Sequence, residues 1–388
     1  MIVRWLSFAV PSVHQREGPC MTTITKTFVS LDSPTGARNG AGFYPCQGLY
    51  TAPAGKVPKV AMIATHYNVD FSEHYLAEYM ASRGIGFLGW NTRYRGLEHF
   101  FLLEHALIDI GQGVKWLREH AGVEQVVLLG NSGGGSLMAA YQSQALGVTM
   151  EATPGLTIPD ALHQLQPADK YVSLCAHGGR PEVLTEWFDP SVTDETDPTS
   201  CDPALNMYDE ANGPPYSKSF IANYRAAQVA RNHRITDWCY AELERLKTLG
   251  MADRAFNLYR TWADLRLMDP SIDPNARKPR WCYAGDPKAA NFSPRGIGLT
   301  NTIRTWLSMW SLKDSFCSGV PHLERISEPA LVIQSDADTG VFPRDAQLIY
   351  DSLGSQEKTL HMIEGDHYLT EPSQARDDVA DLIAEWLA

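Results

Sequence analysis

The run Val126-Val127-Leu128-Leu129-Gly130-Asn131-Ser132-Gly133-Gly134-Gly135-Ser136 sets a serine between an apolar stretch and small residues able to open a helix. A serine at so sharp a strand-to-helix turn holds its hydroxyl out at the top of a sheet. Gly130 and Gly134 supply the room, since a Cβ at either position would crowd the neighbouring backbone. The chemistry on offer is nucleophilic attack, and a serine hydroxyl needs for it a base that is itself oriented by a third group. Two later segments carry candidates: Ser335-Asp336-Ala337-Asp338-Thr339-Gly340, after the apolar run 330–334, and Glu364-Gly365-Asp366-His367-Tyr368, after 358–363. In a parallel sheet the C-terminal strand ends share one edge, so Ser132, one of the two aspartates and His367 can converge there.

The elements that must position these residues follow a regular order. Residues 60–65, 85–90, 123–129 and 171–175 read as buried strands, and 73–83, 102–120 and 136–145 as helices between or after them, with Gly84 closing the first. The pattern returns with strand 330–334, helix 344–353, strand 358–363 and helix 373–387. Strands alternating with helices through short loops predict an α/β fold with a doubly wound, mostly parallel sheet. Between about residues 186 and 321 the regularity lapses into prolines, aspartates and aromatics around two helix-like pieces, 217–249 and 251–268. Six tryptophans (Trp187, Trp238, Trp262, Trp281, Trp306 and Trp310) lie there, which argues for a folded, mainly helical insertion over a disordered one. The expected division is therefore a core of residues 22–185 and 325–388, an insertion of 186–324, and a disordered N-terminal extension of 1–21 ahead of a strand-like stretch, 22–29.

Bulk properties exclude several functions. A formal charge of −12 offers no basic stripe for phosphates, so no nucleic-acid partner is expected. No apolar run approaches the roughly 20 residues that span a bilayer. Seven scattered cysteines without a CxxC pair describe neither a disulfide framework nor a zinc site and point to free thiols in a reducing cytoplasm. No phosphate loop, His-Glu-x-x-His helix or paired metal carboxylates appear, so no cofactor and no metal are expected. A homo-oligomer stays open.

With these motifs the chain resembles the α/β-hydrolase fold superfamily in its capped serine-hydrolase form. The resemblance covers roughly 22–185 and 325–388 and makes the Gly130–Gly134 pentapeptide its nucleophile elbow. It implies Ser132 as nucleophile, His367 as base, and Asp338, through its Asp-x-x-x-Pro setting with Pro343, as the acid ahead of Asp336. It also implies an oxyanion hole from the backbone N–H of Gly133 and of a residue in the loop after the third strand. That loop reads His66-Tyr67-Asn68 where the family has His-Gly, which makes Tyr67 the second donor, with Asn68 as the alternative.

His66, His177 and Trp187 are candidate pocket residues, each also readable as a packed or loop side chain. Arg93 and Arg95 read equally as ion-pair partners, Asp366 as a loop charge and His361 as an alternating strand residue. The resulting expectation is hydrolysis of a carboxylic ester, lactone or thioester of a bulky apolar or aromatic small molecule. The same triad on this fold also serves C–C bond or amide cleavage, and a non-catalytic ligand-binding or scaffold role is the reading from outside enzymology.

Overall fold

The computed structural model describes residues 7–9, 23–38 and 41–388. Nine strands form one sheet: β1 (Ser7–Ala9), β2 (Ile24–Ala37), β3 (Phe43–Pro53), β4 (Val60–Ala64), β5 (Gly86–Asn91), β6 (Gln125–Ser132), β7 (Lys170–Ala176), and, after a separate small pair β8 (Ala255–Asn257) and β9 (Thr300–Thr302), β10 (Ala330–Ser335) and β11 (Lys358–Ile363). The order across the sheet is β1-β2-β3-β5-β4-β6-β7-β10-β11. Pairs up to β3–β5 are antiparallel, and from β5 to β11 every neighbouring pair is parallel.

Alternation along the central strands explains why helices cover both faces. Ala61, Ile63, Val126 and Leu128 belong to one core cluster, while Met62, Ala64, Val127 and Leu129 belong to the other. Of the helices six residues or longer, α2 (Leu103–Trp116) and α3 (Gly134–Leu146) pack into the first cluster. Helix α1 (Ala77–Ser82) packs into the second. The chain then runs through α4 (Arg180–Trp187), α5 (Lys218–Thr248) and α6 (Pro343–Ser352) to α7 (Ala375–Leu387), which joins α1 in that second cluster. The predicted doubly wound α/β sheet is therefore present, and every parallel strand lies within two residues of its expected bounds at its start.

Four local readings change. The helix expected over 73–83 begins only at Ala77, because the His74 ring takes the Leu76 N–H on Nδ1 (3.2 Å) and fixes a turn ahead of it. Helix α2 ends at Trp116 and continues as a π-helical turn over Leu117–Ala121, stopped by Gly122 at φ +72°. The helix expected over 251–268 does not form: the segment supplies β8, bends at Arg260 (φ +62°) and is helical only over Leu265–Met268. Its backbone groups are taken by other parts of the fold, with Leu258 N–H donating to Leu299 O and Ala263 N–H to Trp187 O. Tertiary partners thus override its helical spacing. Finally, Ser7–Ala9 is an edge strand on Thr25–Thr27, which departs from a wholly disordered 1–21; the rest of that stretch lies outside the described residues, as does Cys20.

Helix α5 fills the first of the two helix-like pieces and is capped by Ser217, whose hydroxyl accepts from Phe220 N–H (3.1 Å). The six described cysteines are free. Among the described residues no helix is long and apolar enough to cross a membrane.

Candidate active site

Strand β5 lies on one side of β4 and β6 on the other, so the direction of winding reverses between β4 and β6. A crevice opens at such a reversal beyond the C-terminal strand ends. The loop after β4 (Thr65-His66-Tyr67-Asn68) and the turn after β6 (Ser132-Gly133-Gly134) therefore face one another across it. They touch: a Cβ on Gly134 would stand 2.3 Å from Thr65 O, and one on Gly130 would stand 2.7 Å from Gly135 Cα. Both glycines are fixed by this close approach of backbone to backbone. Ser132 itself sits at φ +55°, a left-handed conformation rare for a residue with a side chain, and the turn so formed aims its hydroxyl outward. Asn131 pins the turn from below, donating to Leu174 O (2.9 Å) and accepting from His74 Nε2 (3.1 Å).

Loops after β10 and β11 bring the other two groups. His367 Nε2 lies 3.1 Å from Ser132 Oγ, and His367 Nδ1 lies 2.6 Å from Asp338 Oδ2. Asp338 is fully buried, and its Oδ1 accepts from the backbone N–H of Gly340 (2.8 Å) and Val341 (3.0 Å). With the carboxylate held this way, the proton of a neutral His367 sits on Nδ1 and Nε2 faces the hydroxyl as an acceptor. The arrangement can take a proton from Ser132 and stabilise the imidazolium that results. Asp336, two residues away, instead caps the neighbouring loop by accepting from Gly365 N–H (3.2 Å).

Gly133 and Tyr67 flank the serine, and neither backbone N–H has a hydrogen-bond partner among the described residues. The Asn68 N–H is directed at His66 Nδ1 (3.5 Å), which leaves Tyr67 the freer of the two candidates in that loop. Tyr67 is buried, its hydroxyl bonded to Ser136 Oγ (3.0 Å). His66 and His177 are both buried at the site. Burial, then the positive charge of Arg180, holds His66 down at about 3. Burial, then the nearness of His367 and Arg180, holds His177 well below the ordinary histidine value, so both rings are neutral near pH 7. Trp187 packs edge-on to His177 (6.2 Å between ring centres) and tilts against Trp262 (4.7 Å). Of the other tryptophans of the insertion, Trp306 and Trp310 are core, while Trp238 and Trp281 are partly exposed at the surface. Arg93 is a buried partner of Asp109 (2.7 Å) and Arg95 an exposed partner of Asp70 (3.1 Å), both away from the serine. Asp366 is a loop charge that accepts from Thr370 N–H (2.7 Å), and His361 lies within β11. Among the described residues no group of three or more His, Cys, Asp or Glu side chains is placed to hold a metal ion.

Sequence reasoning missed two residues of this site, Tyr283 and Arg180. The Tyr283 hydroxyl donates to Asp338 Oδ1 (3.1 Å), and its ring lies 4.7 Å from that of His367. Burial and the Asp338 charge hold its hydroxyl well above the ordinary tyrosine value, so it stays a donor. Asn275 Nδ2 also donates to Asp338 O (2.9 Å), so residues 275–283 hold the acid loop from outside the sheet. No periodicity or motif marks Tyr283. The one signal is indirect: Gly340, where a Cβ would stand 2.0 Å from the Tyr283 hydroxyl. Tyr283→Phe keeps the ring against His367 and removes the bond to Asp338, so kcat of any reaction run by this site should fall about tenfold. Gly340→Ala, whose Cβ would also stand 2.2 Å from Cζ of the Tyr283 ring, should displace the ring itself and cost at least as much, with or without the hydroxyl.

No family model matches the chain, nor does any curated protein. Solved structures do. The alpha/beta hydrolase GrgF from Penicillium sp. sh18 is 11% identical, covers 93% of this chain and 96% of its own, and superposes at a TM-score of 0.50. The esterase domain of a Rhodothermus marinus protein (10% identical, 92% and 97% covered, TM-score 0.44) and a monoacylglycerol lipase from Paleococcus ferrophilus (16%, 85% and 95%, TM-score 0.43) also match. At such identities the likeness is one of fold. The superposition on the Penicillium hydrolase spans nearly all of both chains, and this chain has the α/β-hydrolase fold.

Proposed function

We propose that the chain is a serine hydrolase that cleaves a carboxylic ester, lactone or thioester of a bulky apolar or aromatic small molecule through an acyl-enzyme. The observation that carries this reading is the unbroken hydrogen-bonded series Ser132–His367–Asp338 at the sheet's C-terminal edge. His367 Nε2 takes the Ser132 proton as Oγ attacks the scissile carbonyl, and Asp338 holds the tautomer and stabilises the imidazolium. The carbonyl oxygen, now negative, is met by the N–H groups of Gly133 and Tyr67, each worth about 2.7–4 kcal/mol in the transition state. His367 returns its proton to the leaving alcohol, then activates a water that releases the acyl group from Ser132.

The substrate's bulk is inferred from the insertion between β7 and β10, read as a cap over this edge. Trp187, Trp262 and Tyr283 form a run of aromatic rings leading away from His367. Such a wall suits an aromatic or branched apolar group, which buries a large area against flat rings. A panel of aryl and alkyl esters with varied acyl and alcohol parts tests this. The highest kcat/KM is expected for bulky members; preference for short acetyl esters alone overturns the assignment.

A further inference from the structure

Most buried arginines here engage both terminal nitrogens. Arg93, Arg231 and Arg277 each engage Nε and both terminal nitrogens with carboxylates, hydroxyls or carbonyls. Arg260 leaves its Nε without a partner, yet Nη1 donates to Ser200 O and Nη2 to Asp189 and Ser191. Arg180 differs. It is 3% exposed, yet the one hydrogen bond described for its side chain runs from Nη2 to Glu98 Oε1 (2.8 Å), and its Nε is buried without a partner. The guanidinium is gripped between the rings of Tyr67 (4.8 Å) and Trp310 (4.6 Å), so its direction is set by packing.

That direction is toward the nucleophile turn. Gly133 follows Ser132, and a Cβ there would stand 2.9 Å from Arg180 Nη1 and 2.6 Å from His66 Nε2. The absence of a side chain at Gly133 is what admits both groups beside the serine. The nearest donors to His66 Nδ1 are the N–H groups of Val69 (3.4 Å) and Asn68 (3.5 Å), so a neutral His66 carries its proton on Nε2 and donates from there. Two hydrogen-bond donors, one of them cationic, thus meet at one point next to the reacting carbonyl. Glu98 meets the guanidinium through Nη2 alone, and a buried donor such as Nη1 left without an acceptor is costly, so an oxygen anion brought by a ligand would supply what is missing there.

We propose that Arg180 Nη1 and His66 Nε2–H bind a carboxylate on the acyl part of the substrate, beside the carbon that Ser132 attacks. This rests on the serine-hydrolase reading and narrows its substrate to a molecule with an aromatic or apolar end and an acidic end.

The test compares an aryl monoester of glutaric acid with its methyl-capped diester. Wild-type kcat/KM for release of the aryl alcohol should favour the monoester by about 10–100-fold. Arg180→Gln should erase that preference and Arg180→Lys should restore part of it. Because Arg180→Gln strands Glu98, the Glu98→Gln/Arg180→Gln double variant is measured beside it. In wild type, free glutarate should also slow fluorophosphonate labelling of Ser132 more than its diamide does. Equal rates for the two esters, or a preference that survives in Arg180→Gln and in the double variant, overturns the proposal while labelling leaves the serine-hydrolase reading intact. Absence of labelling in wild type would instead remove that reading.

Discussion

Ser132→Ala should lower kcat by about 10⁶-fold on any ester that the wild-type chain cleaves. Two other hydroxyls near this edge are already engaged, that of Ser136 with Tyr67 (3.0 Å) inside α3 and that of Tyr283 with Asp338 (3.1 Å). The fold should survive the change, because the one hydrogen bond described for Ser132 Oγ is the one to His367. Losing a single bond of that kind costs about 0.5–1.5 kcal/mol. Steady-state kinetics beside a thermal melt separates the two quantities. A variant that melts like wild type and still turns over above about one part in a thousand would show that the nucleophile lies elsewhere.

Asp338→Asn is the second large effect, and here the direction follows from which oxygen is already occupied. Gly340 N–H, Val341 N–H and the Tyr283 hydroxyl all donate to Oδ1. An asparagine must keep its carbonyl oxygen there and turn its NH₂ toward His367 Nδ1. The imidazole then accepts on Nδ1 and carries its proton on Nε2, facing Ser132 as a donor that cannot take the serine's proton. A loss of about 10⁴-fold in kcat is expected, with little change in KM. Asp336→Asn makes the comparison sharp, since Asp336 contacts the Gly365 N–H and not His367. It should leave kcat within a few-fold of wild type. If the two substitutions changed places in this ranking, Asp336 would be the acid.

Much of this edge is readable from residue order because it is set by local rules. A buried run such as Val126–Val127–Leu128–Leu129 can form a strand, and Gly130 and Gly134 are demanded by contacts within a few residues or with the adjacent strand's end. Ser132, Asp338 and His367 follow because parallel strands must deliver their C-terminal loops to one side. The insertion obeys no such rule. Its segment 251–268 has helical spacing, yet Leu258 and Ala263 bond to Leu299 and Trp187, distant in sequence. Tyr283 and Arg180 acquire their roles the same way, through contacts with Asp338 and Gly133 that no spacing announces. Arg180 stands three residues past His177, at a strand end on the active edge, and position is the one cue it carries. Trp187 shows the limit from the other side, because its packing against His177 and Trp262 places it near the site without saying which part of a ligand it meets.

The central claim is that Ser132 becomes covalently acylated with His367 as its base. Treating the wild-type protein and Ser132→Ala with a fluorophosphonate and mapping the adduct by peptide mass spectrometry tests it directly. One adduct on the peptide containing Ser132, absent from Ser132→Ala and slowed in His367→Ala, is the predicted result. An unlabelled wild-type protein, or an adduct on another residue, would contradict it.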